Sequence, residues 1–209
     1  MKLYSYWRST TAYRVRIAMA LKGVEASIVP VDLLADEQGG DDYARLNPSK
    51  GVPTLVTDDG TVLTQSLAIM DYLDAIAPEP PLLPGDAVQR AHVLAASLVV
   101  AVDIHPVNNL KVLNKLKEMG HSQDECIAWM HHWMAEGLTA FATLIDSDAP
   151  YCFGDAPGFA DICLVAQLYN AHRWGVSLDP YPRLAQIETR CLAHPAFAAA
   201  HPDNQPDAQ

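Results

Sequence analysis

"VPTLVTDDGTVLTQSL", from Val52 to Leu67, reads as two short strands joined by a tight turn and running into a helix. Thr54–Thr57 and Thr61–Leu63 straddle Asp58-Asp59-Gly60, a hairpin signal because aspartate and glycine accept the turn backbone. Gln65–Ala77 then takes helical spacing. Upstream, Lys2–Tyr6 alternates like a strand, and a helix is predicted from about Thr11, with Tyr13, Ile17, Ala20 and Leu21 on one face and Gly23 as its stop. Ala26–Asp32 is a second strand rich in Val and Ile. A polar, Gly-containing stretch, Ala35–Asp42, leads to a short helix ending before Asn47-Pro48.

The order β-α-β-α-β-β-α predicts a small mixed sheet with helices on both faces, a thioredoxin-like α/β domain over residues 1–77. "APEPPLLPGDA", Ala77–Ala87, holds four prolines and a glycine, so residues 78–87 read as a linker. Residues 88–209 carry helical patterns and predict an all-α second domain. Ser122 with Glu125 forms a capping box for one of its helices. Gly158 with Asp161, flanked by Pro157 and Ile162 as a hydrophobic staple, starts another.

The formal charge of −11 is unevenly spread. Residues 1–24 hold Lys2, Arg8, Arg14, Arg16 and Lys22 and no acid, while the remainder holds 9 basic and 25 acidic side chains. So acidic a surface argues against nucleic acid as a partner. By this reading no apolar run reaches the roughly 18 residues of a membrane span. The opening lacks a signal-peptide core, so the cytoplasm is the expected compartment. Cys126, Cys152, Cys163 and Cys191 form no CxxC pair and read as small buried side chains. Adjacent His131 and His132 point apart on a helix, and no HExxH, P-loop or GxGxxG occurs, so no metal site is expected.

Two features point to chemistry. "YWRSTTAYRVR", Tyr6–Arg16, concentrates three arginines and the hydroxyls of Ser9, Thr10 and Thr11 at the start of a helix. Helix N-termini are already positive, so this cluster predicts a bound anion. Leu94, Leu98, Ala101, His105, Asn108 and Val112 share one helical face, with Pro106 as a kink. His105 and Asn108 there either satisfy the kinked backbone or reach a ligand. Arg173 extends the stripe Phe159, Ile162, Ala166 and Tyr169, and serves the helix C-terminus or an anion.

Three motifs, "YWRSTTAYRVRIA", "NPSKGVPTL…LTQSLAIMDYL" and "DIHPVNN", resemble the zeta class of the glutathione transferases, over nearly the whole chain. The resemblance implies a thioredoxin-like domain, a cis peptide before Pro53, and glutathione held by Gln38, Val52, Gln65 and Ser66, with His105, Asn108 and Asn109 reaching in from the helical domain. It places the thiol at Ser9, Thr10 and Thr11, the latter two standing where the class commonly has Ser-Cys. Arg8 and Arg173 are implied as clamps on a small dianionic maleyl substrate. Leu110-Lys111 follow the paired asparagines, where some members have arginine. Tyr4 and Tyr6 read as packing. The implied activity is glutathione-dependent cis–trans isomerisation of maleylacetoacetate to its fumaryl isomer by a homodimer. Maleylpyruvate isomerisation in the gentisate route, or general glutathione conjugation, are the alternatives.

Overall fold

The hairpin closes where the sequence places it. In a computed structural model, which describes residues 1–146 and 148–208, Gly60 N–H donates to the Thr57 carbonyl at 3.0 Å, with Gly60 at φ +86°. Asp59 Oδ1 accepts the Thr61 N–H at 3.1 Å and braces the turn. The flanking strands are β3 (Thr54–Val56) and β4 (Val62–Thr64). With β1 (Lys2–Ser5) and β2 (Ser27–Pro30) they form a four-stranded sheet of order β2-β1-β3-β4. β1 pairs parallel with β2 and antiparallel with β3, and Leu3 stands opposite both Ile28 and Leu55.

Alternation along β1 sets the two faces. Leu3 and Ser5 face α1 (Thr10–Lys22), whose Arg16 donates to Ser5 Oγ at 3.0 Å. Tyr4 faces α2 (Asp41–Leu46): its ring meets that of Tyr43 edge-on at 5.9 Å, and Tyr43 Oη bonds Thr54 Oγ1 at 2.9 Å. α2 begins at Asp41 and follows a 3-10 turn at Glu37–Gly39, inside the stretch expected to be loop. Two acids in the first turn of α2 favour this earlier start. α3 (Ser66–Ile76) packs beside α1.

α1 departs from the expected one-sided helix. Every residue from Ala12 to Met19 is buried, Arg14 and Arg16 among them, while Ala20 is exposed. α3 lies along one flank and α9 (Pro195–Ala200) along another, so almost the whole circumference is enclosed. Gly23, left-handed at φ +63°, closes the helix with Val24 N–H on the Met19 carbonyl at 3.0 Å. Lys22 then pairs with Asp74 at 2.6 Å, and the same Asp74 oxygen accepts Leu82 N–H at 2.8 Å.

The chain divides into two compact units, Met1–Leu82 together with the segment from Leu192 onward, and Leu83–Cys191. The return of the C-terminal segment to the first unit was not legible as a linear division of domains. The second unit holds α4 (Ala87–Leu98), α5 (Leu110–Glu118), α6 (Gln123–Leu144), α7 (Phe159–Arg173) and most of α8 (Pro182–Leu192). Both predicted helix starts are present: Glu125 N–H donates to Ser122 Oγ at 3.2 Å, and Gly158 N–H to Asp161 Oδ2 at 2.9 Å. Asp161 also accepts Cys152 N–H at 2.8 Å, yet burial still pushes its carboxyl pKa up. All four cysteines are free and buried, and burial pushes the Cys152 and Cys191 thiols up, away from reactive thiolate.

α4 runs into a π-helical turn, Val99–Ile104, then a 3-10 turn, Pro106–Asn108. The buried face runs through Val93, Ser97, Val100, Ile104 and Asn108, and in α4 it already lies one residue ahead of the expected stripe before the wider turn begins. This corrects the expected stripe: Leu98 is 42% exposed and His105 only half-buried. Gly137 of α6 lets that helix approach the π turn, because a Cβ there would overlap the Ile104 side chain. The run Ala87–Glu118 contains an 18-residue window apolar enough to cross a membrane by length and composition, against the expectation that none would be. It is broken at Pro106, and its helices pack against α6 and α7.

Candidate functional site

The loop between β1 and α1 carries the first candidates. Ser9 caps α1, its Oγ accepting Ala12 N–H at 3.2 Å. Ser9 and Thr11 touch through their hydroxyls at 3.0 Å, and Thr11 Oγ1 donates to the Val52 carbonyl at 2.7 Å. Thr11 has one proton and spends it on Val52, so Ser9 is the donor between them. Ser9 therefore owns the proton that can turn toward an anion. Thr10 is buried, which removes it from an exposed hydroxyl cluster.

The cationic start resolves into separate tasks. Arg16 is buried and donates to the carbonyls of Trp7 (2.9 Å), Tyr6 (3.4 Å) and Ala200 (3.2 Å). Lys22 belongs to Asp74, Lys2 is exposed on β1, and Arg14 is buried behind α3. The expectation that the whole cluster receives an anion thus narrows to Arg8. Its guanidinium lies 4.7 Å from the Trp7 ring centroid and donates to Tyr6 Oη at 3.0 Å. Half-buried, Arg8 meets no carboxylate among the described residues.

Val52 and the start of α3 form the second part. The Val52-Pro53 peptide is cis, as the resemblance implies. Gln65, exposed, precedes α3 at φ +69° and ψ 117°, a conformation that costs a non-glycine residue roughly 1–3 kcal/mol. It places no side-chain cap on the helix, so the first N–H groups of α3 remain for an anion. Behind them, Arg14 Nη1 reaches Ser66 Oγ at 3.4 Å, with both residues buried. α1 thereby touches both parts, Val52 through Thr11 and Ser66 through Arg14. Gln38 lies in the 3-10 turn before α2, its Nε2 donating to Asp36 at 2.7 Å.

In the second unit, Asn109 and His105 come together, with Asn109 Nδ2 3.4 Å from His105 Nε2. Asn109 also caps α5 by accepting Lys111 N–H at 3.1 Å. Asn108 instead serves the broken helix: its Nδ2 donates to the Ile104 carbonyl at 2.9 Å. Arg173 ends α7 exposed, its guanidinium 5.8 Å from the Trp174 ring centroid. Among the described residues no three His, Cys, Asp or Glu side chains gather as a metal site would need. Arg14 was read only as part of the cationic cluster, and its contact with Ser66, 52 residues away, left no signal in the sequence.

Residues 1–75 match the family of glutathione S-transferase N-terminal domains. The maleylacetoacetate isomerase of Pseudomonas aeruginosa is 48% identical over 211 residues, covering 99% of this chain and 98% of that protein. The holo structure of a maleyl pyruvate isomerase, a bacterial zeta-class glutathione S-transferase, matches with a TM-score of 0.97 and 40% identity over 100% of both chains. A maleylacetoacetate isomerase from Anaeromyxobacter dehalogenans, solved with glutathione in its active site, matches with a TM-score of 0.90 and 43% identity over 100% of this chain and 97% of that one. Likeness of this extent, together with a thioredoxin-like sheet and the Ser9, Val52 and Ser66 arrangement, makes the chain a member of the glutathione transferase family, in its zeta class.

Proposed function

We propose that the protein is a glutathione-dependent cis–trans isomerase converting maleylacetoacetate to its fumaryl isomer. One observation carries this reading: Arg8, half-buried and without a carboxylate partner among the described residues, stands one residue from the Ser9 and Thr11 hydroxyl pair at the α1 N-terminus. A transferase for neutral electrophiles has no use for that charge. Maleylpyruvate, with the same maleyl group, is the alternative substrate.

The residues present fit glutathione. The uncapped N-terminus of α3 with Ser66 suits its γ-glutamyl carboxylate. The Val52 backbone suits its extended cysteinyl unit, and Gln38 and Gln65 are the further contacts we assign to it. When bound, glutathione supplies a thiolate that adds reversibly to the double bond and so permits rotation. Ser9 keeps the sulfur ionised by donating a hydrogen bond to it, helped by the positive end of α1. Thr11, held on Val52, accepts the hydrogen bond from Ser9 until the sulfur takes its place. Arg8 holds a substrate carboxylate and stabilises anionic charge as it develops. Arg173 is the second cation we assign to the substrate, and His105 and Asn109 the polar contacts from the second unit. Family membership also supports a cytoplasmic homodimer with no nucleic-acid or membrane partner.

The test follows loss of the maleyl chromophore with glutathione in catalytic rather than stoichiometric amount. Turnover of many substrate molecules per glutathione is expected. No turnover, alongside good conjugation of neutral electrophiles, would replace the isomerase by a general transferase.

Ser66→Ala is expected to weaken glutathione binding by about 1.5–3 kcal/mol, the worth of a hydrogen bond to a charged group. Calorimetric titration measures it, and unchanged affinity with unchanged melting would remove Ser66 from the site. Ser9→Ala is expected to raise the thiolate pKa of bound glutathione by about one unit. Thr11→Val should raise it less, because its proton already serves Val52. Thiolate absorbance against pH reads both, and a larger shift in Thr11→Val would reverse the assignment.

A further inference from the structure

Asp207 stands 200 residues from Trp7 in sequence, yet its Oδ2 accepts the Trp7 N–H at 2.9 Å. Ala208, beside it, packs against the cluster of Tyr6, Trp7, Ala12, Val31, Tyr43 and Val52. The Trp7 carbonyl is held as well, by Arg16 Nη2 at 2.9 Å, and the same guanidinium reaches back to Ala200 at 3.2 Å. The returning segment is itself stiffened: Asn204 Nδ2 donates to the Ala198 carbonyl at 2.8 Å and Gln205 Nε2 to that of His201 at 2.9 Å.

Loop peptides ordinarily leave such groups to water. Here Trp7 is clamped through both N–H and C=O, and the two residues that follow it are Arg8 and Ser9. Arg8 also lies on the clamped residue's own ring. The other oxygen of Asp207 is buried with no hydrogen-bond partner, which costs stability. Stability alone is thus a poor account of the carboxylate's placement.

We propose that Asp207 is a positioning residue: it clasps the loop between β1 and α1 in the geometry that presents Arg8 and Ser9. The inference rests on the reading that this loop serves the thiol and a substrate carboxylate. It acts through Trp7 and touches neither glutathione nor substrate. Its loss therefore affects the reacting step more than glutathione affinity, which Ser66 and Val52 govern.

The experiment compares D207A and D207N with the wild-type full chain by steady-state kinetics and by amide hydrogen exchange of the ligand-free protein. D207A is expected to lower kcat about tenfold, the order of effect of one charge-assisted hydrogen bond, with KM for glutathione within about twofold. Exchange should quicken at Trp7, Arg8 and Ser9 and stay unchanged in β3. D207N keeps an acceptor for the Trp7 N–H and is expected to recover most of the loss. A D207A kcat within about twofold of wild type per folded molecule overturns the clasp, as does exchange that rises evenly through the first unit. A wild type without isomerase turnover would sink the proposed function instead, and the local exchange at Trp7–Ser9 then decides the clasp alone.

Discussion

Arg8→Ala is expected to lower the efficiency of maleyl isomerisation by at least about tenfold, equivalent to about 1.4 kcal/mol of barrier. A dianionic substrate needs a cation at each end, and guanidinium binds a carboxylate through two parallel hydrogen bonds. The anchor must also keep the double bond near the sulfur while the rest of the substrate turns, so its loss harms positioning as well as binding. Arg8→Lys restores charge but neither the paired geometry nor the flat packing on Trp7, and should recover only part of the rate. Arg173→Ala should show a similar loss. Conjugation of a neutral chloronitrobenzene should stay nearly unchanged in the same variants, with melting measured first because Arg8 also contacts Tyr6. Equal losses in both assays would mean that the arginines serve glutathione or the fold.

Arg16→Met should destabilise the protein by about 3 kcal/mol or more. The guanidinium donates to Ser5 Oγ and to the carbonyls of Tyr6, Trp7 and Ala200, and Arg16 is 5% exposed. Removing it leaves several buried acceptors unmade, each costing about 1–3 kcal/mol. It also cuts the tie between the loop that follows β1 and the end of α9. Urea unfolding followed by circular dichroism measures the loss; a midpoint shift worth less than about 1 kcal/mol would show that water takes over those carbonyls. Lysine cannot span the acceptors, so Arg16→Lys should fall close to methionine.

These two arginines, eight residues apart, mark where reading the sequence stopped short. Charge counting saw Arg8, Arg14, Arg16 and Lys22 as one cationic cluster. Burial separated them, because α1 is enclosed on nearly every side and its long side chains had to find internal acceptors. Likewise the apolar spacing before His105 promised a continuous helical face. The buried face instead runs one residue earlier in α4, at Val93 and Ser97, and continues through a π turn at Val99–Ile104, whose wider spacing no pattern with a period of 3.6 reports.

By itself the sequence determined what local chemistry controls. Asp58-Asp59-Gly60 and the alternating strands around it specify the hairpin, Gly23 and the Ser122–Glu125 pair specify helix ends, and the three motifs carry the family. Each depends on residues a few positions apart, whose preferences hold wherever the segment lies. Only the tertiary structure decided that the Thr11 proton is committed to Val52 while that of Ser9 can be redirected, that Arg8 alone of the first arginines stays outside the core, and that Asp207 returns to Trp7. Those outcomes depend on partners 41 to 200 residues apart, brought together by burial of the whole first unit. A hydrogen bond across that separation leaves no periodic trace in the chain, because the core that brings its ends together, rather than any local preference, selects it.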